Sequence, residues 1–519
     1  TTITTIRKAE KPGRILIMHP MHAASHVFAL RTLSLKLVER GHKVDVVRWQ
    51  DNHFYPPMNH PSITEHVMAI NNSMGTVPYV THEERGKFMV PSEDLWKSGL
   101  EWVHIPLDIF YTVSAFCDAL LGNEPLIHYL KAQKFDVAIV DLIYNSCSLA
   151  LVNKLGIPPV GYWAMSFIGG DITDAQGWIN PNIVPIMYTS FPTPMTFLQR
   201  VKNNLMVLGM ELYMTTQYMV TSMKIQRYLP GSPSPSTMMG NLTGLLINSH
   251  PALDIPTLLP PSFLQVGGFH IKETKPLPMD IEHFLLSSGS EGTIFFSMGS
   301  IFNNKAVPES AIMAFMSAFG RLKQKVLCVF SSPLSWVPPN VKVVNWVPQQ
   351  DVLAHNQTVL FLTHCGMHSI IESVYHSVPM VGMPIFIDQG DNMQRMVERN
   401  IAASIKKMAT ADEIYDTIMQ VLSNEKYKKS VETYSKVLRH HSTPPLDRAV
   451  WLLEHIMVTK GAAHLKIPAN DLNTLQYFSV DVILFIFMVT LCLAYVLYRM
   501  LRRISSRFRD ELQSELKLK

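Results

Sequence analysis

Between Asn345 and Ser373 the chain reads NWVPQQDVLAHNQTVLFLTHCGMHSIIES, an apolar, strand-like run broken by groups that grip rings, phosphates and hydroxyls. Trp346 ends one strand pattern, where an indole can stack on a flat heterocycle, and Gln349 can hydrogen-bond a ribose or a base edge. The THCG of 363–366 follows the next strand and leads to Ser369 at the opening of a helix. Small residues at a helix N-terminus leave backbone N–H groups and the positive end of the dipole open to phosphate. Glu372, one turn further, can accept from two ribose hydroxyls, and the DQGDN of 388–392 offers Asp388 and Gln389 to another set of hydroxyls. A base, a sugar, a diphosphate and a second sugar would each find a partner. Singly these residues have plainer uses, Trp346 as core and Asp388 as a helix cap; the combination carries the chemistry. Far upstream, HPMHAASH places His26 at the start of a helix, and Asp141 closes the apolar strand FDVAIVD. A histidine and a carboxylate at strand ends of one sheet can act as a base and its orienting group.

The elements that must hold these groups alternate. Arg14 to Met18 reads as a strand, Phe28 to Arg40 as a helix stopped by Gly41, and Val44 to Val47 as the next strand. Phe135 to Val140, Ser146 to Leu155 and Val160 to Trp163 repeat strand, helix, strand. Pro185 to Leu229, rich in methionine and aromatics, breaks the rhythm and reads as helical core or domain cover, or else as an adaptable apolar wall for a greasy ligand. After HIKETKPLPMD at 270–280 the rhythm restarts, with strands at 293–297, 326–330, 341–346 and 359–363 and helices from Ala311, Ser369, Asn392 and Ala411. The fold class is α/β, with two doubly wound parallel sheets facing a cleft and ligands beyond the C-terminal strand ends.

In order and spacing, Trp346, Gln349, His364, Gly366, Ser369, Glu372, Asp388 and Gln389 resemble, in register, the signature of the UDP-glycosyltransferase family. FFSMGS, INSHPALD, VGGFH, PMTFLQRVKN, SVPMVGMPIF and YFSVDVILF resemble its animal membrane-bound branch, which includes the UDP-glucuronosyltransferases. The resemblance covers nearly the whole chain and implies a GT-B fold with two Rossmann-like domains. Residues 1–270 would bind the acceptor, 271–282 link, and 283–460 bind the UDP-sugar. It implies that Trp346 stacks on uracil, that Gln349 and Glu372 bind the ribose side, and that Ser300, His364 and Ser369 hold the diphosphate beside Gly366. Asp388 and Gln389 would hold the donor sugar, His26 would be the general base, and Asp141 would orient it. His19 and His22 read as upstream bystanders. His368 stands where many members carry Asn; facing the diphosphate, its pKa should rise above 6.5. The implied reaction is inverting transfer of a hexose or hexuronic acid from a UDP-sugar to a hydroxyl or amine of a small lipophilic acceptor. No D-x-D triplet occurs, which speaks for a metal-independent reaction with no cofactor beyond the donor. A glycosyltransferase of lipid synthesis (ceramide or sterol) and a non-catalytic nucleotide-sugar-binding membrane partner are the alternatives; the second would be marked by loss of His26, Asp141, Asp388 or Gln389, and all four are present.

Composition agrees with this class. The 519 residues exceed one ordinary core, and a formal net charge of +4 gives no reason to expect nucleic acid. Five cysteines without a C-x-x-C signal neither a disulfide framework nor a zinc site. Residues 477–498 read as a transmembrane helix, and Arg499, Arg502, Arg503, Arg507 and Arg509 open a basic tail, 499–519, that the positive-inside rule places in the cytosol. The large domains are then lumenal, a signal peptide is inferred to have been removed, and membrane lipid joins donor and acceptor as a partner. Endoplasmic-reticulum residence rests on the resemblance, because Lys517 is only half of a dilysine signal. Homo- or hetero-oligomerisation stays open, as does glycosylation at the sequons of Asn71, Asn241 and Asn356.

Overall fold

A computed structural model describes residues 9, 11–19, 24–49, 57–68, 116–166, 175, 180–299, 307–385, 387–466, 472 and 474–517. The chain forms two compact units, 1–466 and 467–519.

The first half of the larger unit is a seven-stranded parallel sheet in the order β3-β2-β1-β4-β5-β6-β7. Its strands are β1 (Arg14–His19), β2 (Lys43–Trp49), β3 (Ile63–Met68), β4 (Val137–Asp141), β5 (Pro159–Trp163), β6 (Gly244–Ile247) and β7 (Phe263–Gln265). Helices α1 (Ala24–Glu39) and α2 (Ser146–Lys154) carry two of the crossovers. Ile15, Leu16, Ile17 and Met18 are all fully buried, the continuous apolar run of a strand covered on both faces. The second half is a six-stranded parallel sheet, β10-β9-β8-β11-β12-β13. It comprises β8 (Thr293–Ser297), β9 (Lys325–Val329), β10 (Val341–Val344), β11 (Thr358–Thr363), β12 (Met380–Gly382) and β13 (Ala402–Ser404). In each half the winding reverses at one place, between β1 and β4 and between β8 and β11. There the connections leave towards opposite faces and open a crevice at the carboxyl edge.

Three findings differ from the expectations. Cys117 and Cys147 form a disulfide, Cα to Cα 5.5 Å, that no sequence spacing signalled. Residues 197–228 form one 32-residue helix, α3 (Phe197–Tyr228), that turns the expected arrangement inside out. It buries Asn203, Gln217 and Thr221 with Met214 and Ile225, and exposes Leu205, Leu208, Leu212, Met219 and Met223. The buried amide of Asn203 explains one of these positions: it donates to the carbonyls of Pro181 (2.7 Å) and Val184 (2.9 Å) and accepts from the Ile186 N–H (2.8 Å). Third, the helix Pro445–Thr459, counted with the second half in the sequence division, packs on α1, β4 and β7 of the first sheet. Its Glu454 pairs with Arg40 at 2.6 Å and meets His42 Nε2 at 3.1 Å.

The two halves also meet across the cleft through α4 (Gln389–Glu398). Asp391 accepts from the backbone N–H groups of Tyr188 (2.9 Å) and Ser190 (2.7 Å). Arg395 lies 3.6 Å from Asp254 and donates to Ser166 Oγ at 2.5 Å. Arg399 donates to the carbonyls of Ala252 and Asp254, both at 2.8 Å. The smaller unit is essentially one helix, Val480–Lys517, the one described helix long and apolar enough to cross a membrane, with mean hydropathy 2.6 in its apolar window.

Burial, reinforced by Asp388, pushes the Asp391 carboxyl up to about 6 against the opposing pull of Arg395 and the two amides. A carboxyl with a higher pKa folded than unfolded holds more protons in the folded state between the two values. Its contribution is therefore present at low pH and is lost as pH rises from about 4 through about 6. The melting temperature of Asp391→Asn minus that of the wild type should climb across this window and level off above it. The climb corresponds to at most about 3 kcal/mol. Scanning fluorimetry at half-unit pH steps checks this.

Candidate active site

The first sheet assembles one cluster at its switch point. β1 and β4 run parallel with Ile15 opposite Val137 and Met18 opposite Val140, so the next residue on each strand, His19 and Asp141, end side by side. His26 stands in the first turn of α1. Its Nδ1 lies 2.8 Å from Asp141 Oδ2, and His19 Nδ1 lies 3.0 Å from the same oxygen. A carboxylate only accepts, so both rings present Nδ1–H to it and keep the Nε2 lone pair in the neutral form. Burial alone would raise the Asp141 carboxyl; the charge of His26 and the hydrogen bonds from both histidines outweigh it and hold it well below the usual carboxylate range. His19 is thus part of the cluster and no bystander. Its signal was its place at the end of β1, in register with the carboxylate. His22 lies outside the described residues.

The second sheet presents its expected residues along its own carboxyl edge. Trp346 follows β10 with 66% of its surface exposed, a platform and not a core residue. Gln349 Nε2 donates to Glu372 (2.6 Å) and to Ser369 Oγ (3.1 Å). Gln350 Nε2 donates to the other Glu372 oxygen at 3.1 Å, and His270 Nε2 lies 3.4 Å from it. Burial would raise Glu372, but His270 and the two glutamines outweigh it and leave the carboxyl below its ordinary value. Gln350 and His270 were not picked out by sequence reasoning, although His270 closes the VGGFH segment.

His364 follows β11 at the second switch point. Its ring is wedged between two glycines, so tightly that a Cβ on Gly299 would stand 2.7 Å from Nε2 and one on Gly366 2.6 Å from it. Burial pushes its pKa down to about 4, and its buried Nδ1 has no hydrogen-bond partner among the described residues. Gly366 then caps the helix Met367–Tyr375 with no side-chain cap bond, which leaves the first-turn N–H groups open and places Ser369 among them. Ser300 lies outside the described residues.

Asp388 precedes α4, accepts from Asn392 Nδ2 at 2.7 Å, and has its carboxyl raised mainly by burial. Gln389 is buried and uses its side-chain oxygen on the Ile385 N–H (2.8 Å), so that oxygen holds the turn. Between them and β12, Ile387 has φ +57°. A β-branched residue there costs about 1–3 kcal/mol, a strain that recurs at binding turns.

His368 departs from expectation. Its Nε2 lies 3.4 Å from the Tyr162 hydroxyl, its Nδ1 3.2 Å from Asn248 Nδ2, and its ring packs 4.6 Å from that of His270. Burial first, then His270 and His26, lower its pKa well below 6.5, where a rise was expected. Among the described residues no three His, Cys, Asp or Glu side chains gather as metal ligands.

Two parallel sheets facing a cleft, one ending in a histidine–carboxylate cluster and the other in a phosphate-ready helix N-terminus, define a GT-B glycosyltransferase. The chain belongs to the UDP-glucoronosyl and UDP-glucosyl transferase family, whose model matches residues 13–513, and it is an enzyme that transfers sugar from a UDP-sugar to a small acceptor. It is 33% identical to UDP-glucuronosyltransferase 2A3 of Cavia porcellus over 473 residues, 89% of this chain and 88% of that one. It is 30% identical to human UDP-glucuronosyltransferase 2B7 over 508 residues, 95% and 94% of the two chains. Among solved structures, a UDP-glucosyltransferase from Polygonum tinctorium shares the fold at TM-score 0.58 and 16% identity, covering 87% of this chain and 99% of its own.

The glycine wedge makes a testable demand. Gly299 has φ +74°, and a methyl group there meets the His364 ring. Gly299→Ala should displace His364 and weaken UDP binding by about tenfold or more, the usual cost of overpacking a filled site. Isothermal calorimetry with UDP measures it.

Proposed function

We propose that the enzyme inverts configuration, with His26 as general base and the second sheet as donor site. The acceptor hydroxyl gives its proton to His26 Nε2 while its oxygen attacks the anomeric carbon. The bond to the UDP oxygen breaks on the opposite face, so an α-linked donor yields a β-glycoside. Asp141 accepts from His26 Nδ1, which fixes the tautomer and stabilises the imidazolium that forms. The single observation that carries this is the 2.8 Å contact between His26 Nδ1 and a buried, ionised carboxylate. Charge gathering on the leaving diphosphate meets the N–H groups at 367–369 and the imidazole of His364, preorganised donors that need no metal. Trp346 takes the uracil, Gln349 and Glu372 the ribose, and Asp388 and Gln389 the donor sugar. The acceptor is a small lipophilic molecule and the donor carries glucose or glucuronic acid, the sugars in the family's description.

The apolar helix Val480–Lys517 anchors the chain, with its basic tail in the cytosol and the sheets in the lumen of the endoplasmic reticulum. The Cys117–Cys147 bond supports that side, since disulfides persist in oxidising compartments.

His26→Ala should lower turnover by about 10²-fold or more while UDP binding stays close to normal, because the base touches only the acceptor. Turnover with a broad phenol acceptor, run in parallel with UDP-glucose and UDP-glucuronic acid, tests base and donor together. Near-normal turnover would remove the assignment.

Trp346→Ala should weaken UDP and UDP-sugar alike, by about ten- to a hundredfold, since stacking contributes roughly 1–3 kcal/mol per base. Unchanged UDP affinity in calorimetry would make the indole a bystander.

A further inference from the structure

Asp141 Oδ2 receives two histidines, and the mechanism uses one. His26 is the one at the cleft: its charge reaches both Asp388 and His368 of the second half, and its ring stands 6.3 Å from that of Tyr162. The other charged neighbour of His19 is Arg48 of β2, itself paired with Glu65 of β3 at 2.7 Å. Among the described residues no acceptor reaches His19 Nε2, which is buried without a hydrogen-bond partner, and burial lowers the ring's pKa below 6.5. It is a neutral ring with one proton to offer, and it offers that proton to the oxygen that His26 uses.

We propose that His19 is a positioning residue for the base: by sharing Asp141 Oδ2 with His26, it fixes the carboxylate and limits how strongly that carboxylate pulls on the His26 imidazolium. The proposal rests on the reading of His26 as base. The physics is a competition for one acceptor. A carboxylate oxygen that already takes a neutral N–H has less negative charge to give a cation. His19 transfers no proton; it keeps the charged form of His26 from being over-stabilised by the carboxylate they share. The groups that also face this cluster are Arg48 with Glu65, Tyr162, His368 and Asp388, and none of them is altered in the comparison below.

The test is the pH profile of kcat/KM for the acceptor, in full-length enzyme, for wild type, His19→Leu and His19→Asn. Leucine removes the donor, so the acid limb should move to higher pH by roughly half a unit to one unit, within the range of one hydrogen bond to a charged group. Asparagine places an N–H near the lost Nδ1 and should bring the limb back to the wild-type position. An acid limb that stays put or moves down in His19→Leu overturns the proposal, even if the variant is less stable. His26→Ala run alongside separates the two readings. If it still turns over near normally, the base assignment itself fails; if it is inactive while the limb of His19→Leu is unmoved, only the role of His19 fails. Should His19→Leu not fold, nitrogen NMR of histidine-labelled wild type decides, with the signal assigned by its loss in His19→Asn. His19 must carry its proton on Nδ1 and titrate below the ordinary histidine value of about 6.5. A proton on Nε2, or titration at or above that value, overturns it.

Discussion

A right-handed crossover takes the chain from one parallel strand to the next, and in a doubly wound sheet the direction of winding reverses once. At that reversal two adjacent strands send their connections to opposite faces, and the carboxyl edge between them is left open. The larger unit has two such places, and its chemistry is divided between them. β1 and β4 bring His19, Asp141 and, through the following helix, His26 to the first. β8 and β11 bring Gly299, His364 and the open helix start at 366–369 to the second. Neither set is local in sequence; parallel register makes each of them local in space.

Both sites hold a buried carboxylate against its own desolvation penalty, and they do so in related ways. Asp141 is held by two imidazoles and Glu372 by two amides and an imidazole. At Asp141 the charge of His26 counts most and the hydrogen bonds of both rings add to it; at Glu372 His270 leads and the two glutamines add to it. At Asp388 and Asp391 burial prevails over the partners, even though Asp391 accepts two backbone N–H bonds. The contrast puts the firmly ionised carboxylates beside His26 and beside Gln349, and the more easily protonated ones along the helix through which the two halves meet.

His368 ties these arrangements together. It belongs to the second sheet by sequence, yet its two nitrogens face Tyr162 and Asn248 of the first, and its ring packs on His270, which in turn approaches Glu372. A chain of contacts therefore runs from Tyr162, beside His26, to Glu372 through side chains of both halves.

The sequence by itself determined the alternation of strands and helices, the two parallel sheets and the spacing of Trp346, Gln349, His364, Ser369 and Glu372. Each follows from local periodicity and from groups that sit close to one another along the chain. It placed His26 at the start of a helix and Asp141 at the end of a strand, and the family resemblance singled them out. What only the tertiary structure decided depends on which strands become neighbours and which faces meet. His19 joined Asp141 because β1 and β4 pair in register, and the Cys117–Cys147 bond formed because a helical turn at 116–121 packs beside α2. Leucines and methionines of α3 face outward while Asn203 is buried, satisfying the backbone at 181–186. Composition can announce a helix, but which of its faces is buried is set by the polar groups that already wait on the other side.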